Sequence, residues 1–128
     1  MVLSKFKRVA TAILVLQASA QMVHAHQSPE HNGQHGGPIV ATQHNHVELV
    51  RLDNEVAVYL YDLDLTPRSA ENITIEATLV DGTSQTQFDL VFTPPNKFSA
   101  KGIAASASAT IVLRLFRDGD FWDLTRLK

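Results

Sequence analysis

The sequence contains no cysteine, and this absence excludes several kinds of chemistry at once. Disulfides, thiolate metal sites and cysteine nucleophiles are ruled out. With only two methionines, Met1 and Met22, a thioether Cu(I) site is not expected. Nucleophile-elbow and phosphate-loop glycine motifs are also missing, so the sequence predicts a protein that is not an enzyme.

Long apolar runs are missing as well, because the one apolar stretch, residues 9–16, is far shorter than the roughly 20 residues that span a bilayer. Three basic residues precede this stretch and small residues follow it, which is the pattern of a secretory signal peptide. We predict that residues 1–20 are the signal peptide, with cleavage after Ala25 as the alternative. The mature protein is then periplasmic or secreted, without membrane insertion.

Positive charge is scarce in the remainder of the chain. The full sequence has 11 Lys and Arg against 13 Asp and Glu, and three of the basic residues lie in the predicted leader. The mature chain would therefore carry eight basic and 13 acidic side chains, a net charge of −5. This balance argues against a nucleic-acid partner and mildly favours cations.

Apolar and polar residues alternate with period two through most of the chain after residue 38, as in β-strands. The clearest examples are residues 46–52 and 55–61, which flank the turn dipeptide Asp53-Asn54. About seven or eight short strands with frequent turn signals predict an all-β, antiparallel β-sandwich of the Ig-like or cupredoxin-like kind over residues 38–128. A single strand is predicted over residues 85–92, and a small barrel is the alternative fold.

Histidine is confined to one segment. All six histidines lie between residues 24 and 46, at His24, His26, His31, His35, His44 and His46. Residues 21–37 are polar and glycine-rich without periodicity, and we expect them to form a flexible arm. Because imidazole is the commonest protein ligand for metals, this confinement predicts binding of a divalent transition metal, Cu(II) or Zn(II).

The predicted ligands are His44, His46 and Glu48, with further donors from the arm. On an extended strand, residues 44, 46 and 48 point to one side, so that two imidazoles and a carboxylate would share a face. His26, His31 or His35 could then fold over as a fourth ligand, which would order the arm. Neutral imidazole is the binding form, so the affinity should fall below about pH 6.

The segment from Gln34 to Pro67 resembles small exported proteins encoded beside heavy-metal efflux systems. The residues that carry the resemblance are the runs His35-Gly36-Gly37, His44-x-His46-Val47-Glu48-Leu49-Val50 and Val56-x-Val58-Tyr59-Leu60-Tyr61-Asp62-x-Asp64. The resemblance implies a periplasmic metal-binding role in resistance, storage or delivery, with a component of a metal-efflux pump as partner. It also implies His35, His44, His46 and Glu48 as the metal site. The chain departs from the family in having Asn45 between two histidines that are often adjacent.

Two other functions remain open. The first is a non-metal protein-interaction module of the cell envelope, in which a sheet edge docks on a partner and the histidines are incidental. The second is a copper oxidative enzyme that uses the amine and ring of His26, in looser likeness to periplasmic copper-resistance sandwiches. It requires cleavage after Ala25 and a second fixed histidine, and the mass of the mature N-terminus decides it.

Overall fold

Nine β-strands and no helix make up the part of the chain that the computed structural model describes, residues 32–103 and 108–128. The strands are β1 (Ile39–Ala41), β2 (His46–Leu52), β3 (Glu55–Tyr61), β4 (Ile73–Asp81), β5 (Ser84–Asp89), β6 (Val91–Thr93), β7 (Lys97–Lys101), β8 (Thr110–Arg117) and β9 (Asp120–Leu127). Within these ranges no helix has the length and apolar character needed to cross a membrane. The predicted signal peptide and its two cleavage points lie outside the described residues.

The strands form two antiparallel sheets, which confirms the predicted all-β sandwich. The first sheet has the order β1-β2-β3-β7-β6, and the second has the order β5-β4-β8-β9. Hairpin pairing of β2 with β3 and of β8 with β9 follows from the turn residues between them, as the Asp53-Asn54 dipeptide predicted. Strand directions and the alternation of side chains then direct one face of each sheet inwards.

The core lies between the two inner faces. It is formed by buried aliphatic and aromatic residues, chiefly Val47, Leu49, Val56, Val58, Leu60, Ile73, Ile75, Phe98, Ile111, Leu113, Leu115 and Leu127. Burying one such side chain contributes about 1.5–3 kcal/mol, so this set is the main source of stability in a chain that has no disulfide.

The predicted strand over residues 85–92 was wrong in one respect. The chain forms β5 in the second sheet, breaks at Leu90, and continues as β6 in the first sheet. The side chains of Phe88, Leu90 and Phe92 nevertheless all pack against the core, as the alternation indicated.

Residues 32–37, which the sequence assigned to the arm, lie against the first sheet. Asn32 and Pro38 form an isolated antiparallel bridge, and the Gly33 amide donates a 2.7 Å hydrogen bond to the Gly37 carbonyl. Gly36 adopts a φ of +82°, a left-handed conformation that glycine takes without steric cost. This short loop therefore folds back on itself just before β1.

Candidate functional site

Glu48 lies at the centre of the candidate site, on the outer face of the first sheet. Its neighbours Val47 and Leu49 point into the core, so alternation places Glu48 on the opposite face of β2. Across the hairpin, Glu48 is opposite Tyr59 and His46 is opposite Tyr61. Four side chains that can carry chemistry thus share one patch of the outer face.

The loop of residues 33–37 covers Glu48 so completely that its side chain is 0% exposed. The closest approach is at Gly33, where a Cβ atom would overlap the Glu48 carboxylate. A residue without a side chain is therefore required at this position. The loop turns what would be a solvated outer-face carboxylate into a buried one.

Four donors satisfy the buried carboxylate. Its Oε1 accepts from the backbone amides of His35 (2.9 Å) and Gly37 (3.0 Å). Its Oε2 accepts from the Tyr61 hydroxyl at 2.5 Å and lies 3.2 Å from His35 Nδ1. Buried charges are stable only when paired or hydrogen-bonded, and this one is fully engaged.

The hydrogen bonds determine the ionisation of both acidic groups. Burial by itself would raise the pKa of Glu48, but the bonds from Tyr61, the Gly37 amide and His35 outweigh it and hold this pKa below its usual value. Burial and the adjacent Glu48 carboxylate raise the pKa of Tyr61 above that of a free phenol. Glu48 is therefore ionised and Tyr61 is protonated near neutral pH.

His35 is oriented by this carboxylate. Its ring stacks on Tyr59, with 3.5 Å between the centroids and 8° between the planes, and Nδ1 lies 3.2 Å from both Glu48 Oε2 and the Tyr61 oxygen. An ionised carboxylate can only accept, so we assign the hydrogen to Nδ1. The lone pair then resides on Nε2, and the side chain is 41% exposed.

His46 is oriented in the same manner by a different acceptor. Its Nδ1 lies 3.1 Å from the Asp62 carbonyl oxygen, which is an acceptor only, so Nδ1 again carries the hydrogen. The lone pair of His46 is therefore also on Nε2. Both histidines of this face have the tautomer in which Nε2 can bind a metal.

His44 belongs to different surroundings. It precedes β2 in the turn of residues 42–45, its amide donates to Asp123 at 3.1 Å, and its ring stacks on Trp122 at a centroid distance of 5.4 Å. The predicted arrangement of His44, His46 and Glu48 on one side of a single strand is thus not formed.

The structure brings together some of the predicted ligands. His35 and Glu48 are in contact, His46 lies on the same face, and His44 is apart. Within residues 32–103 and 108–128, no group of three or more His, Asp or Glu side chains is placed to hold a metal ion. His26 and His31 lie outside the described residues.

A second buried carboxylate, Asp123 on β9, was not predicted as part of any site. Its Oδ2 accepts from the Thr42 hydroxyl, the His44 amide and Asn45 Nδ2, and its Oδ1 accepts from the Leu124 amide. Burial would raise the pKa of Asp123, but the donors, chiefly the Thr42 hydroxyl and Asn45, lower it. The sequence showed only a strand-end aspartate at this position.

The roles of Tyr59 and Tyr61 were also missed, although a signal was present. The hairpin turn at Asp53-Asn54 fixes the pairing of β2 with β3, and counting back from it places Tyr59 opposite Glu48. Tyr59 stacks on His35, and the hydroxyl that donates to Glu48 belongs to Tyr61, the diagonal neighbour across the hairpin. Diagonal neighbours on a sheet are within reach of aromatic side chains, so this contact was foreseeable from the register.

Comparison with known proteins yields no match among family models, curated proteins or solved structures.

Acid should destabilise the fold through the two buried carboxylates. Their pKa values in the folded protein are lowered, so the folded state binds fewer protons than the unfolded chain. Their contribution is complete above the unfolded carboxyl range of about 4 and is lost as the pH falls through the folded values. Urea unfolding between pH 2.5 and 7 measures this slope.

The matched variants are Glu48→Gln and Asp123→Asn, each of which should flatten the acid limb of the stability curve. Glu76→Gln is the control, because Glu76 is 61% exposed in its ion pair with Arg114 and should leave the slope unchanged. An unaltered slope in both buried variants would contradict the prediction.

Proposed function

We propose that this protein binds a divalent transition metal, Cu(II) or Zn(II), outside the cytoplasm, and that His35 is a ligand through Nε2. The observation that carries the proposal is the Glu48–His35 pair. A carboxylate that accepts from one ring nitrogen of a histidine fixes the tautomer and the ring orientation, and it raises the basicity of the other nitrogen. Metal-binding histidines are commonly supported in this way.

The role proposed for Glu48 differs from the one expected from the sequence. Because its oxygens already accept from four donors under the loop of residues 33–37, it supports His35 and does not itself bind the ion. His46, with its Nε2 also free, is proposed as a second ligand on the same face.

Further donors are needed, since a closed transition-metal site commonly has four ligands. We propose that they come from His26 and His31, which precede the described residues in the chain. The biological role inferred for such binding is metal resistance, storage or delivery to an efflux system.

Calorimetry of the metal-free protein with Cu(II) and with Zn(II) tests the proposal. We expect one saturable site, weakened at least about tenfold by His35→Ala and by about 10–100-fold by Glu48→Gln, which leaves His35 in place but removes its charged acceptor. His44→Ala is the matched control and should bind as the unaltered protein does. Each variant is compared at a temperature where circular dichroism shows it folded.

Unchanged affinity in the double variant His35→Ala, His46→Ala would overturn the proposal and leave the interaction module as the better function.

One observation favours the interaction module. The edge strand β5 (SQTQFD) is almost fully exposed, pairs only with β4, and has neither the lysine nor the proline that commonly block an open edge. An extended segment of a partner protein could add to this edge as a further strand. A chelator should then have no effect on how much of the partner this protein captures.

A further inference from the structure

A β-bulge places the only tryptophan of the chain at one end of the sandwich. In the β8–β9 hairpin, Leu115 pairs with Asp123 and Phe116 pairs with Phe121, so Trp122 is the extra residue between the two pairs. Bulges redirect side chains and are frequent beside functional sites. Here the indole is half-buried and packs against the edge of the core.

Three cationic or aromatic groups from three other segments meet this indole. The ring of His44 stacks on it at 5.4 Å, the Arg68 guanidinium carbon lies 5.3 Å from its centroid, and that of Arg117 lies 5.2 Å from it. A guanidinium close to an indole face is attracted by the ring. The turn before β2, the loop between β3 and β4, and the end of β8 thus converge on Trp122.

The two guanidinium groups share one ring, and neither forms an ion pair within the described residues, although Arg68 is near enough to Asp62 for its charge to oppose the rise in the pKa of that carboxyl. The ion pairs His35–Glu48 and Arg114–Glu76 in the described part of the chain involve neither Arg68 nor Arg117. Asp120 is opposite Arg117 in the hairpin but forms no ion pair with it. The nearby Asp123 carboxylate is already engaged by four donors.

Arg68 is held in place while part of its hydrogen-bonding capacity is unused. Its Nη2 donates to the His44 carbonyl at 3.0 Å, whereas its Nε is buried without an acceptor. Arg117 is exposed at the end of β8. One guanidinium is therefore positioned by the backbone, and the other can adjust to a ligand from solvent.

We propose that Arg68 and Arg117, arranged around Trp122, form a binding site for a small oxyanion, a carboxylate or phosphate group. The planar fork of an arginine matches two oxygens of either group, and an anion between two such forks would neutralise charges that otherwise repel each other. This site is independent of the proposed metal site, because His35 and Glu48 are not part of it.

Fluorescence tests the proposal directly, because Trp122 is the sole tryptophan of the chain. Metal-free protein is titrated with inorganic phosphate and, separately, with sodium acetate, against sodium chloride at matched ionic strength. We expect a saturable change in Trp122 emission with at least one of the two oxyanions and none with chloride. The responding anion identifies the class of ligand.

Arg117→Gln is the primary variant, because this exposed side chain makes no hydrogen bond that the fold requires. It should weaken oxyanion binding at least about tenfold, since hydrogen bonds to charged groups are among the strong ones. Arg68→Gln should weaken binding to a similar extent. Arg126→Gln is the control, because Arg126 is an exposed arginine on β9, the strand that carries Trp122. An equal response to chloride, or full binding by Arg117→Gln, would overturn the proposal.

Discussion

Replacing Glu48 with glutamine is expected to lower the free energy of unfolding by about 2–4 kcal/mol. Hydrogen bonds to a buried charge contribute about 1.5–3 kcal/mol each, and a glutamine amide can form only some of the hydrogen bonds that the carboxylate accepts. Glutamine keeps the shape and one carbonyl oxygen, but its NH₂ group would face donors where Oε1 or Oε2 now accepts. Urea unfolding at neutral pH measures the loss.

Glu76→Gln is the control for this variant, since it removes a carboxylate of the same kind from an exposed pair with Arg114. Exposed ion pairs contribute little, so a change below about 0.5 kcal/mol is expected. Equal stabilities for Glu48→Gln and the unaltered protein would show that the loop of residues 33–37 does not depend on the carboxylate.

The effect of Glu48→Gln should be concentrated in the loop that covers it. The amides of His35 and Gly37 have their acceptor in Glu48, and so does His35 Nδ1. Hydrogen exchange should therefore speed up most at these two amides, while amides in the centre of β8 follow global unfolding.

Most of the fold was predictable because alternation and turn residues are local signals. Residues 46–52 and 55–61 show both, and β2 and β3 occupy these ranges. The break at Leu90 was not predictable from alternation, since Phe88, Leu90 and Phe92 face the core on either side of it. Side-chain periodicity reports which face is buried and does not report which strand supplies the hydrogen bonds.

The site was less predictable, for a related reason. Alternation correctly separates Glu48 from the core residues Val47 and Leu49, but it cannot show that the loop of residues 33–37 covers the outer face. That loop has no periodicity, and its packing depends on the absence of a side chain at Gly33. The expected face of His44, His46 and Glu48 required an extended chain from residue 44 onwards, and the sequence gives no sign that residues 42–45 form a turn instead.

Glu48 and Asp123 have the same physical role at two places in the sandwich. Each is a buried carboxylate that accepts four hydrogen bonds, three of them from a segment with few apolar side chains of its own. This segment is the loop of residues 33–37 for Glu48 and the turn of residues 42–45 for Asp123. The fourth donor is the Tyr61 hydroxyl for Glu48 and the Leu124 amide for Asp123. Without disulfides, the chain holds these polar segments through charge-assisted hydrogen bonds. The two segments carry His35 and His44, so the same contacts position the side chains of both candidate sites.

Asp123→Ala should be more destabilising than Glu48→Gln, with an expected loss of about 3–5 kcal/mol in the free energy of unfolding, because its removal leaves several buried donors without an acceptor. Asn45 is 0% exposed and would lose its partner for Nδ2, while its Oδ1 already lacks one. The turn of residues 42–45 connects β1 and β2 of the first sheet, whereas β9 belongs to the second sheet, so the contact links the two layers.

Asp120→Asn on the same strand is the control for Asp123→Ala, because Asp120 is exposed and forms no ion pair with any residue that the structure describes. The free energy of unfolding of this variant should be unchanged within about 0.5 kcal/mol. Asp123→Ala should also alter the emission of Trp122, since the His44 ring stacks on that indole and the His44 amide is held by Asp123. A stable Asp123→Ala protein with unaltered emission would mean that the turn is held by Thr42 and Arg68 alone. Urea unfolding followed by tryptophan fluorescence and by circular dichroism separates the two outcomes, because the first reports this end of the sandwich and the second reports both sheets.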